Sequence, residues 1–188
     1  MEKNKQIIII SLSILVLFLF FGSFFMTGRI NPSSENKYYN DVLGISFDMP
    51  KNYFVEDHSF TNSLYSGFDL YEDTKGNRLL LSGEIVGELP VSISCVAFEN
   101  PEDISIKEWV NSDEFETLFF AQDVNLTEEN IIPDVSAYGY DSDGLYASKN
   151  IVFKHSSGKI FNCRVSYITL QDKIVDDFQK FLMSIKLL

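Results

Sequence analysis

With 45% hydrophobic residues, 17 Phe and 9 Tyr in 188 residues, the chain has far more apolar surface than a disordered protein. Its 27 acids against 15 bases give a net charge of −12 with no Lys/Arg cluster, which excludes a phosphate backbone as partner: no nucleic acid. Once one long apolar run is set aside, about 160 residues remain, enough for one ordinary domain and short for two.

That run is Ile7 to Met26, IIIISLSILVLFLFFGSFFM, without a charge. As a helix, about 20 residues rise roughly 30 Å, the thickness of a bilayer's hydrocarbon core, and a helix satisfies its own backbone in lipid. It is longer than a signal-peptide core, and no A-x-A-like cleavage site follows it, so we read an uncleaved single-pass anchor. No Cys stands near its end to carry a lipid. Glu2, Lys3 and Lys5 ahead of it sum to +1 and leave −13 for the rest. The positive-inside bias therefore puts residues 1–6 in the cytoplasm as a short tail, 7–26 in the cell membrane, and the C-terminal domain on the extracytoplasmic side.

Residues 27–37 (TGRINPSSENK) are polar and aperiodic, a flexible linker to a domain over 38–188. Leu43, Ile45, Phe47 and Met49 alternate as a half-buried strand stopped by Pro50, and Lys51 to Phe54 read as a turn. Tyr65–Asp73 and Leu79–Ile85 read as strands around a Gly76-Asn77 hairpin turn, and Val91–Phe98 as a third. Ser105-Ile106-Lys107-Glu108 is a capping box opening a short helix, with a second around Phe115 and Phe119 after a phase break. Residues 125–133 read as a loop. Strands follow over 136–140, 145–154 and 159–168, then a helix over 171–183 with Ile174, Phe178, Phe181 and Leu182 as its apolar stripe, then a short edge strand at 184–188. The expectation is an α+β domain: a central antiparallel sheet, apolar on both faces in places, flanked by helices and preceded by one transmembrane helix.

Tyr39-Asn40-Asp41, Gly44-Ile45-Ser46-Phe47 and Met49-Pro50-Lys51-Asn52-Tyr53 resemble the opening of the PsbP/Mog1-like domain. The closing part is similar too: a turn with Gly158, a strand through Phe161 and Tyr167, a helix with Phe178, then Ser184-Ile185-Lys186-Leu187. The likeness spans residues 38–188, with Tyr53 where such domains commonly carry Trp. It implies an α/β/α sandwich. Among its relatives, bacterial and archaeal members are often tethered outside the membrane without an assigned activity. Photosynthetic members are accessory subunits of the oxygen-evolving complex, and Mog1 is a protein-binding regulator. Fold does not fix function, and no partner-binding motif carries over residue by residue.

The residues that could carry chemistry are few. Cys95 and Cys163 are candidates for a disulfide outside the membrane, while their place in alternating strand patterns favours two buried thiols. Their spacing and number exclude a CxxC or zinc site. His58 and His155 read as surface loop residues, His155 beside Ser156 and Ser157 on a hairpin tip. Asp141-Ser142-Asp143-Gly144 has part of a calcium loop but lacks its further acid and distal Glu, so it reads as a solvated turn, with Asp141 and Asp143 the only metal candidates. Asn125-Leu126-Thr127 is a formal glycosylation sequon, and Tyr138, Tyr140, Tyr146 and Phe153 read as core and cross-strand aromatics. No catalytic motif is present, and no cofactor is implied. The expectation is a non-catalytic envelope module that binds a protein partner. The alternatives are a small-ligand or divalent-cation sensor and, last, a hydrolase in which one histidine meets a carboxylate and a hydroxyl.

Overall fold

A computed structural model describes residues 29–30, 36–59, 65–112 and 124–188. The anchor run at 7–26 and the second short helix expected around Phe115 lie outside them. Among the described residues no helix is long and apolar enough to cross a membrane.

The elements are β1 (Arg29–Ile30), β2 (Lys37–Asn40), β3 (Ile45–Asp48), β4 (Tyr53–Ser59), β5 (Tyr65–Glu72), α1 (Lys75–Leu81), β6 (Ile93–Phe98), α2 (Ile106–Trp109), β7 (Thr127–Glu129), β8 (Ala137–Ser142), β9 (Ala147–Lys154), β10 (Ile160–Tyr167), α3 (Lys173–Ser184) and β11 (Lys186–Leu187). Seven strands form one antiparallel sheet in the order β4-β5-β6-β10-β9-β8-β7. A smaller sheet runs β1-β2-β3-β11, with Arg29–Ile30, inside the stretch read as linker, paired to Tyr38–Tyr39.

Period-two alternation decides the two faces of the large sheet. Phe68, Ile93, Cys95, Phe153, Phe161, Cys163 and Val165 point to one side, where Phe178, Phe181 and Leu182 of α3 and Tyr38 and Phe47 of the small sheet close over them. On the other side Phe98, Val152 and Ile160 meet Ile106 and Trp109 of α2. The domain is therefore mostly antiparallel sheet with a few helices, covered on both faces as the mixed apolar pattern suggested. The capping box forms: Ser105 Oγ accepts from the Glu108 amide at 3.2 Å, and the Ser105 amide donates to Glu108 Oε2 at 2.8 Å.

Four local expectations are corrected. Residues 75–81 are helix, not the turn and strand of a hairpin: Thr74 Oγ1 accepts from the Asn77 amide at 3.1 Å, the N-cap bond that starts α1. Lys51 and Asn52 form a turn, but Tyr53 already begins β4, which is missed because Glu56, Asp57 and His58 interrupt its apolar pattern. The stretch read as a loop over 125–133 contains β7, paired to β8. The thiols expected to stay separate are joined: Cys95 and Cys163 stand opposite each other in the β6–β10 register, with an S–S distance of 1.97 Å.

Candidate functional site

Both histidines are held by neighbouring side chains. His58 belongs to β4, and its Nε2 lies 2.8 Å from Asp69 Oδ2 on β5. The Tyr71 hydroxyl donates to the same oxygen at 3.1 Å. Histidine, carboxylate and phenol meet here, with the imidazole and the phenol both on the Asp69 carboxylate. Burial, with Asp69 and Glu56 nearby, raises the Tyr71 phenol well above the usual tyrosine range.

His155 is buried, against the expectation of a surface residue. Its Nδ1 accepts the Ser157 amide at 3.0 Å, which leaves Nε2 to donate to the Gly44 carbonyl at 3.1 Å. Nδ1 also lies 2.8 Å from Ser157 Oγ, and the Nε2 bond fastens the β9–β10 turn to the β2–β3 turn. Lys159 Nζ reinforces the same junction on the Val42 carbonyl at 3.2 Å.

A groove of about 370 Å³ opens beside β7 and β8. Asp141, Asn125 and Thr127 line it, together with Glu129 and Lys149, neither of which the sequence singled out. Lys149 stands opposite Asp141 in the β8–β9 register, so the groove mixes an ammonium with two carboxylates. Asp143 does not line it, and no group of three or more metal-ligating side chains comes together among the described residues. On the opposite face Tyr140 accepts from Asn162 Nδ2 at 3.1 Å; burial pushes its phenol up to about 12.

The other surface feature is apolar. β5 and β6 are adjacent antiparallel strands, and a two- to five-residue hairpin would join them, yet residues 73–92 intervene. This arm buries none of α1's residues, although α1 ends in Leu79-Leu80-Leu81. Beyond it Ile85, Val86 and Leu89 are exposed, Val86 completely. The registers put the β8–β9 tip with exposed Leu145 and the turn after β10 with exposed Ile168 and Leu170 at the same end of the sheet. The Tyr146 hydroxyl joins the two parts by donating to the Leu89 carbonyl at 3.2 Å. Scattered apolar side chains are normal on a surface, whereas these gather at one end of the sheet. The sequence reading of Leu79–Ile85 as a strand gave no pointer to this end.

No protein-family model matches this chain, and no curated protein does.

Proposed function

We propose that this protein is a single-pass, membrane-anchored, non-catalytic accessory module of the cell envelope. It binds another protein through an extracytoplasmic domain over residues 38–188 that follows a linker at 27–37. The observation that carries the reading is the concentration of exposed large apolar side chains (Ile85, Val86, Leu89, Leu145, Ile168, Leu170) at one end of the large sheet. The apolar run at 7–26 and the Lys3/Lys5 bias support the anchor and its orientation, with the N-terminus cytoplasmic. The antiparallel sheet between α3 and α2 supports the α/β/α sandwich of the PsbP/Mog1-like family. Affinity isolation of the full chain from detergent-solubilised envelope should return one protein in fixed stoichiometry. Protease added to intact cells should digest the domain. Repeated recovery of the chain alone, or a protected domain, would overturn the reading.

The groove favours a second reading, a sensor for a small polar ligand or divalent cation that uses Asp141, Glu129 and Asn125. Millimolar calcium should then raise the melting temperature, and Asp141→Asn should remove the rise.

A further inference from the structure

We infer that the arm over residues 73–92 is the docking element itself, and that its occupant is a protein groove with an apolar floor and a Lys/Arg-rich rim. This rests on the reading of the protein as an interaction module and names the surface and the chemistry it fits.

The arm is built to stand up without the core. Arg78 holds Asp73 through two bonds, at 2.6 and 3.0 Å, and lies over the Phe54 ring at 4.3 Å, which ties the base of α1 to the sheet. At the far end of α1 the Leu79 carbonyl accepts from the amides of Glu84 and Ile85 at 3.0 and 3.2 Å and from the Ser82 hydroxyl at 3.1 Å. Thr74 caps the start. Ile85, Val86 and Leu89 are therefore held on this frame while remaining open to water, whereas Leu79, Leu80 and Leu81 are half-buried. A segment ordered before it binds loses less conformational entropy on docking.

Charge chooses among occupants. Glu84 and Glu88 on the arm and Asp143 beside Leu145 are exposed acids, and Asp141 stands opposite Lys149. Of the arm's bases, Arg78 is spent on Asp73, and Lys75 stands at the start of α1. An apolar centre with an acidic border repels an anionic lipid surface. It also repels a second copy of this chain, which would bring acid to acid across a two-fold axis. A basic-rimmed protein groove is complementary. Topology agrees: Arg29 pairs with Tyr39, so β1 begins at the Gly44 end of the domain, opposite the arm.

The test is site-specific photocrosslinking of the full chain in its native membranes, with a photoreactive phenylalanine analogue at Val86 or, as a control at the opposite end, at Ser156. The expected result is one discrete protein adduct from Val86 and none from Ser156, with the crosslinked partner peptide apolar and flanked by Lys or Arg. Glu84→Lys with Glu88→Lys, and separately Leu89→Asp, should each reduce the adduct at least tenfold without changing the melting temperature. A lipid adduct, a self-adduct, or a yield indifferent to charge reversal would overturn the inference. An adduct from Ser156 alone would overturn it while sparing the proposed function; no adduct from either position would count against both.

Discussion

His155 Nε2 donates to the Gly44 carbonyl across 3.1 Å, and this bond joins two turns 111 residues apart in sequence. The same carbonyl accepts the amide of Leu188 at 2.8 Å, so the β2–β3 turn, the β9–β10 turn and the C-terminus meet on one oxygen. Gly44 holds φ +72°, and a Cβ there would stand 3.2 Å from the imidazole. Gly44→Ala should therefore destabilise the domain by about 1–3 kcal/mol from backbone strain, with crowding of His155 added to it. Chemical denaturation of the detergent-solubilised full chain measures this; an unchanged midpoint would refute the junction.

His155→Leu tests the same junction from the other side. It strands the Ser157 amide and takes one of two donors from the Gly44 carbonyl, at a cost of about 1–3 kcal/mol. A histidine serving catalysis at a surface turn would show no such loss of stability. The denaturation midpoint decides between the two roles.

The disulfide shows where sequence reading stops. Alternation of Phe161, Cys163, Val165 and Tyr167 placed Cys163 in the core, and that is where it lies. What alternation does not carry is the partner: β6 and β10 become neighbours only through the sheet order, and only then do Cys95 and Cys163, 68 residues apart, fall opposite each other. Local signals behave better. The Ser105–Glu108 box, the stripe of α3 and the turns that carry Gly144 and Gly158 depend on residues a few positions apart, and each is found where expected. α1 was misread because Gly-Asn suits a hairpin turn as well as a first helical turn, and three consecutive leucines have no period. Of the groove, the sequence singled out Asp141 and the sequon residues Asn125 and Thr127; Lys149 and Glu129 join it through pairing across strands. For the bridge, thiol alkylation of the denatured chain should add nothing without reductant and two labels with it. Cys95→Ala with Cys163→Ala should lower stability by about 2–5 kcal/mol.

The arm gives the contrary expectation. Val86→Asp or Leu89→Asp removes an apolar side chain that is already in water, so stability should stay within about 0.5 kcal/mol of the parent. A large loss on denaturation would mean that these side chains pack against the domain, and the arm would be part of the fold and not a surface for a partner.

Alkaline pH should unfold the domain by a route that its tyrosines define. Burial pushes Tyr140 up to about 12, with Asn162 and Arg164 pulling the other way. Burial also raises Tyr38, where Asp57 accepts the phenol, and Tyr53, which lies near Asp177 and Glu72. In each case the folded value exceeds the unfolded value of about 10. The folded state thus holds protons that the unfolded state releases, and stability is fully present below pH 10 and lost as pH rises through the folded values. For Tyr140 the loss is about 1 kcal/mol per pH unit between 10 and 12. Absorbance at the tyrosinate band should show exposed phenols titrating near 10 and a buried group lagging behind, with the lag gone in denaturant. Tyr140→Phe should flatten the fall of stability over this range, since the residue that replaces it has no proton to lose; an unaltered slope would place the alkaline sensitivity elsewhere.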